Sequence, residues 1–206
     1  MAQPARETER IVLGLSGSSA LPVGLRLLEV LLSTPGVELH TVFTEGARQV
    51  ARNEFGLELD DLSRLRERLG ISEIRAVAWQ HHREDDLGAP ISSGSFGVRK
   101  MVVAPCSMGT LAAIANGMSD NLLERAADVV LKERGLLVLV PREAPLSLIH
   151  LENMVRVARA GGVILPPVLT FYHQPEESSR AMVDFIVGKV LDLMAIEHQL
   201  YRRWGY

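Results

Sequence analysis

The chain has 206 residues, 47% hydrophobic and 23% charged, enough for one α/β domain with a sizeable core. A formal net charge of −3 sets aside nucleic acid as the main partner, because phosphate-reading surfaces carry a clear positive excess. Cys106 is the only cysteine, so no intrachain disulfide can form, and a reducing compartment suits the chain.

The polar N-terminal tail, residues 1–9 of MAQPARETER, has no hydrophobic signal region. The longest apolar run, AGGVILPPVLTFYHQP, is interrupted by Pro166 and Pro167. A cytoplasmic protein without a membrane partner is therefore expected. RIVLGLS (10–16) reads as a buried strand running into a small-residue turn, and LPVGLRLLEVLLS (21–33) as a helix with Pro22 near its start. VELHTVFT (37–44) is a second strand. EGARQVARNEFG is a helix ending near Gly56, and LDDLSRLRERLG (59–70) a charged helix opened by Asp60 or Asp61. IRAVAW (74–79) is the expected third strand, followed by a polar loop over 81–97 in which His81 and His82 are expected to be solvated.

KMVVAPC (100–106) predicts a fourth strand and SMGTLAAIANGMS a helix of small residues. DNLLERAADVVLKERG (120–135) is an amphipathic helix capped by Asp120 or Asn121 and stopped by Gly135. LLVLVP (136–141) is a fifth strand, LSLIHLENMVRVARAG a helix, GVILP (162–166) a sixth strand, and SRAMVDFIVGKVLDLM a long last helix. The tail from Ile196 adds at most a short helical turn. Strands alternate with helices throughout and read as continuous apolar runs, as a parallel sheet covered on both faces requires. The expectation is one doubly wound, mainly parallel α/β domain over residues 1–206.

Open parallel sheets bind ligands beyond the carboxyl ends of their strands. Polar residues collect there: Ser16, Gly17, Ser18 and Ser19 after strand one, and Thr44 after strand two. Pro105, Cys106 and Ser107 close strand four, with Thr110 one turn on. Arg142 and Glu143 follow strand five, and Thr170, Phe171, Tyr172 and His173 follow strand six. The turn SGSS at a helix N-terminus suits a phosphate, since free N–H groups and the helix dipole favour an anion. It lacks both the lysine of a P-loop and the spacing GxGxxG; Glu45 past strand two leaves a dinucleotide reading weakened but open. Arg125, Asp128 and Lys132 share one helix face, which by periodicity alone reads as a solvated ion-pair stripe, with a functional role as the alternative. His150 and Glu152 lack metal-ligand spacing, no metal is expected, and Cys106 at a strand end is expected to be inert.

Four longer stretches are more specific: APISSGSF, APCSMGTLAAIANGMSDNLLERAADVVLKE, LVLVPREAPLSLIHLENM and FYHQP. In these the chain resembles the UbiX-type flavin prenyltransferases, once regarded as aromatic-acid decarboxylase subunits, over nearly its whole length. The resemblance implies a flavodoxin-like, Rossmann-type three-layer sandwich assembled as a homododecamer with sites at subunit interfaces and the tail 197–206 packed on a neighbour. It implies transfer of a dimethylallyl group from dimethylallyl phosphate to N5 and C6 of reduced FMN, without a metal. Phosphate is released, and the prenylated FMN serves a UbiD-type decarboxylase.

By the same resemblance Gly17, Ser18, Ser19, Thr44, Ser107, Met108, Thr110 and Arg125 contact FMN. Ser93, Gly94 and Ser95 belong to a closing loop. Lys132, Arg142, Glu143, Tyr172 and Lys189 surround the prenyl phosphate, and Trp204 walls the prenyl pocket. Ser19, Glu54, Lys132, Arg142 and Glu143 are the expected catalytic set. The first loop departs from the family's TGASGA: Ala20 replaces a glycine, so a positive φ there would be strained. Pro22 and Val23 alter the neighbouring wall, and Leu87 and Gly88 stand where an aromatic is common. Lys189 keeps the charge of a usual arginine without its bidentate fork. Two other readings share the fold, a flavin-containing cysteine decarboxylase and a flavin-binding protein without catalysis.

Overall fold

The apolar runs become the central strands of one sheet. The computed structural model describes residues 8–71, 78–170 and 179–205. Its strands are β1 (Glu9–Leu15), β2 (Val37–Phe43), β3 (Trp79–His82), β4 (Lys100–Cys106), β5 (Leu136–Pro141) and β6 (Val163–Ile164). The helices are α1 (Leu21–Leu32), α2 (Glu45–Phe55), α3 (Leu62–Arg68), α4 (Met108–Ala115), α5 (Leu122–Lys132), α6 (Leu148–Arg159) and α7 (Ser179–Leu193). Every pairing among these strands is parallel, in the order β3-β2-β1-β4-β5-β6. The chain winds outward from β1 to β3, then crosses back to β4. The switch point thus lies between the carboxyl ends of β1 and β4, where such sheets take their ligands.

Alternation along the strands feeds two apolar layers. Ile11, Leu13 and Leu15 of β1 meet Leu27, Leu31, Val187 and Leu191 of α1 and α7 on one face. Val12 and Val103 meet Leu111, Leu123 and Val130 of α4 and α5 on the other. Helix α1 forms because Leu21, Gly24, Leu27, Leu28 and Leu31 recur on one buried side at helical spacing. Pro22 sits in its first turn, where the missing N–H costs nothing. A Cβ on Gly24 would collide with the carbonyl oxygen of Ala104. Only glycine lets α1 approach β4 this closely, and the approach sets the loop 16–20 beside the end of β4. Thr44, Asp61, Ser107, Asn121 and Ser147 each accept a backbone N–H with the side chain and start α2, α3, α4, α5 and α6. Gly56, with φ 60, ends α2 in the left-handed region.

Three sequence expectations are corrected. The third strand is Trp79–His82 rather than 74–79; residues 74–77 lie outside the described residues. His81 and His82 are therefore not loop residues in solvent. His81 Nδ1 lies 2.9 Å from Thr41 Oγ1, and His82 Nε2 lies 2.9 Å from His40 Nδ1, with the His40 and His82 rings stacked. Burial pushes the His81 imidazole down to about 4, and burial also lowers His40 and His82. The sixth strand is only Val163–Ile164, since Pro166 and Pro167 have no N–H to extend the ladder. The tail forms turns that fold back on their own chain. Tyr201 packs on Gly188 and Phe185, and its hydroxyl donates to Asp192.

Candidate active site

The loop after β1 is fastened by its serines to three different elements. Ser16 Oγ accepts the N–H of Ser107 at 2.7 Å and donates to the carbonyl of Pro105 at 3.2 Å. Ser18 Oγ donates to the carbonyl of Arg142 at 3.2 Å, joining the loop to the end of β5. Ser19 Oγ donates to Glu54 Oε1 at 2.6 Å, joining it to α2. Between them Gly17 lies against the first turn of α2, where a Cβ would come within 3.0 Å of the Gly46 backbone. Ala20 has φ −112, so the alanine in place of a glycine carries no left-handed strain.

Two helix N-termini flank this loop. Thr44 Oγ1 accepts the N–H of Ala47 at 3.2 Å at the head of α2. Ser107 Oγ accepts the N–H of Thr110 at 3.2 Å and donates to Thr110 Oγ1 at 3.0 Å at the head of α4. Met108 packs partly into the second apolar layer. Arg142 and Glu143 stand beyond β5 with both side chains exposed. One rim therefore gathers the loop 16–19, Thr44, Glu54, Ser107, Met108, Thr110, Arg142 and Glu143. Its hydroxyls, its helix N-termini and the bare Gly17 backbone suit an anionic ligand such as a phosphate group. Cys106 is fully buried, and burial drives its thiol far up, so it is no nucleophile.

The remaining candidates lie elsewhere. Arg125 Nε donates to the Ser92 carbonyl at 3.1 Å and Nη1 to Asp128 Oδ2 at 2.8 Å, on the flank of α5. Lys132 Nζ donates to Glu133 Oε1 at 2.6 Å, and this contact holds the Glu133 carboxyl below its ordinary range. Gly94 lies on the same carboxylate; a Cβ there would collide with Glu133 Oε1 and come 2.8 Å from Lys132 Nζ. The hydroxyls of Ser93 and Ser95 are 2.9 Å apart. Lys132 precedes β5 and Arg142 follows it, so the strand's length, roughly 17 Å, separates them. Lys189 Nζ is 3.9 Å from Asp192 Oδ2. Burial alone would raise Asp192, but hydrogen bonds from Tyr201, Arg203 and His198 bring it to about 2. Trp204 is 80% exposed in the single chain. Phe171, Tyr172 and His173 lie outside the described residues.

A cleft of about 620 Å³ opens beyond β2 and β3. Its arginines are each paired with a carboxylate: Arg48 with Asp60 at 3.0 Å and Glu84 at 2.9 Å, Arg52 with Glu45 at 2.8 Å, and Arg83 with Asp85 at 2.7 Å. Among the described residues that line it, no arginine is left as a spare cation for an anionic ligand. Two residues that build the rim have more specific parts than the sequence pattern gives them. Ser16 is marked only by being a small polar residue at the last position of an apolar run. Gly46 becomes meaningful only once Gly17 is seen against it.

The Flavoprotein family profile matches residues 2–193. A flavin prenyltransferase UbiX from Halalkalibacterium halodurans is 45% identical over 93% of this chain and 91% of its own. Among solved structures, a dodecameric FMN-dependent UbiX-like decarboxylase from Escherichia coli O157:H7 superposes with a TM-score of 0.84 at 41% identity, covering 96% of this chain and 100% of that one. A UbiX in complex with FMN and dimethylallyl pyrophosphate gives 0.85 at 41% identity, covering 98% and 99%. With the rim at the switch point and likeness along almost the whole chain, this protein belongs to the Flavoprotein family and, within it, to the UbiX-type flavin prenyltransferases.

Proposed function

We propose that the chain transfers a dimethylallyl group from a dimethylallyl phosphate donor to N5 and C6 of reduced FMN, releasing phosphate. The observation that carries this is the serine-tethered rim beside Arg142 and Glu143, in a chain so similar to flavin prenyltransferases. Reduced flavin supplies the nucleophilic atoms. Gly17, Ser18, Ser19, Thr44, Ser107, Met108 and Thr110 would hold it, with Arg125 from the α5 flank.

Breaking the donor's C–O bond leaves an electron pair on phosphate. Arg142 and Lys132 stabilise that growing charge by charge-assisted hydrogen bonds. Bonding of the donor's first carbon to N5 releases the N5 proton; closing the ring then consumes one proton at the donor's double bond and releases one from C6, which the Glu143 carboxylate accepts. Glu54 orients the Ser19 hydroxyl. Lys189, Ser93, Gly94, Tyr172 and Trp204 complete the donor site. Lys132 lies before β5 and Arg142 after it, and the site is read as shared, each phosphate taking its Lys132 from one subunit and its Arg142 from another.

Assembly has a surface to use. Leu148, Ile149, Leu151 and Val155 of α6 are exposed just after the segment Arg142–Pro145. The similar E. coli protein is dodecameric, and the same assembly is proposed here. The product would serve a UbiD-type decarboxylase in the cytoplasm. No described helix is long and apolar enough to cross a membrane. The test is anaerobic: protein, reduced FMN and dimethylallyl phosphate are mixed and the extracted flavin is weighed. The expected flavin is heavier by one C5 unit, with phosphate released. Unchanged flavin with both the phosphate and the diphosphate donor intact would contradict the proposal.

A further inference from the structure

We infer that Ser16 is a positioning residue that locks the two flavin-facing loops into register. Ser16 is 1% exposed and sits at the switch point, directly after β1. Its backbone N–H donates to the Pro105 carbonyl at 3.0 Å, and its hydroxyl donates to the same carbonyl. The hydroxyl also accepts the N–H of Ser107. One side chain thus ties the start of the loop 17–19 to the residue that caps α4. The other two serines tie the loop to β5 and α2, and neither of those bonds reaches α4.

The bond has a directional consequence. Ser107 is the N-cap of α4, and its side chain is engaged with Thr110. With the Ser107 N–H turned inward to Ser16, the next amides, those of Met108 and Gly109, are the ones left at the helix N-terminus. Ser16 therefore selects which donors of α4 face the rim without itself reaching a ligand. Loss of its hydroxyl leaves the half-buried Ser107 N–H without this partner, and the α4 start must shift or take in water.

This inference rests on the reading that the rim binds FMN. The test uses the full-length protein freed of flavin and titrated with FMN by fluorescence quenching, alongside thermal melting. Ser16→Ala and the nearly isosteric Ser16→Cys are each expected to weaken FMN binding about tenfold. At saturating FMN, the KM for dimethylallyl phosphate should change by less than about twofold, because the donor residues are not tethered through Ser16. Thr41→Val is the control: Thr41 is a buried hydroxyl that bonds Trp79 and His81 away from the rim. It should lower the melting temperature and leave FMN affinity unchanged. Wild-type affinity in Ser16→Cys, or equal loss in Thr41→Val, would overturn the role of Ser16. Failure of the unmutated protein to bind FMN would instead overturn the function reading and this inference with it.

Discussion

At the rim, functional side chains hold one another. Ser16 bonds Ser107, Ser18 bonds the Arg142 backbone, Ser19 bonds Glu54, and Ser107 bonds Thr110. On the α5 flank the cations instead bond carboxylates of their own neighbourhood, Arg125 to Asp128 and Lys132 to Glu133. The first region is organised by the topology of a single chain, which brings distant loops to one switch point. The second keeps its charge on local partners, with Lys132 at the end of α5 before β5 and Arg142 after that strand. One chain therefore organises the serine-tethered rim by itself, whereas the proposed phosphate grip is read as shared between chains.

Four changes probe this difference. The largest effect is expected from Glu143→Gln at the rim. Loss of a proton acceptor should lower kcat by about 10²- to 10⁴-fold while FMN affinity stays unchanged. A kcat within about tenfold of wild type would remove Glu143 from the chemistry. Gly24→Ala attacks the scaffold beneath the rim, since the new Cβ meets the Ala104 carbonyl. It should cost about 3 kcal/mol, read by denaturant unfolding. Acid probes the buried histidines on β2 and β3. His81 ionises near 6.5 when unfolded and near 4 when folded, so the unfolded chain binds more protons in between. Its contribution is fully present above pH 6.5 and falls as pH drops toward 4. The loss is on the order of 2 kcal/mol once residual solvent screening is allowed for. His81→Asn should flatten that part of the pH–stability curve. The smallest effect belongs to the flank. Glu133→Gln frees Lys132 from an exposed pair and should lower the donor KM about twofold, because such pairs are weak. A raised KM would mean that Glu133 supports the site rather than competing for Lys132.

The fold was legible wherever a strand is apolar on both faces, as in β1, β4 and β5. Strand β3 was not, because WQHH carries no apolar run. It is held by pairing with β2 and by contacts of His81 and His82 with Thr41 and His40, which no local pattern announces. The rim was largely legible because polar residues at the ends of apolar runs converge in a parallel sheet. The bonds that organise it were not: Ser18 and Arg142 are 124 positions apart, and Ser16 and Ser107 are 91. Family resemblance groups Lys132 with Arg142, and the structure separates them because one precedes β5 and the other follows it.

A complementation experiment decides whether the grip is shared. Two differently tagged variants, Arg142→Ala and Lys132→Ala, are co-expressed and mixed assemblies isolated. Each variant alone should lose on the order of 10²-fold in kcat/KM. If the two cations come from different chains, mixed assemblies contain some sites with both wild-type residues, and activity returns to about a quarter of wild type for random pairing. Activity no higher than that of the separate variants would show that both cations act from one chain, and would contradict a phosphate site shared between subunits.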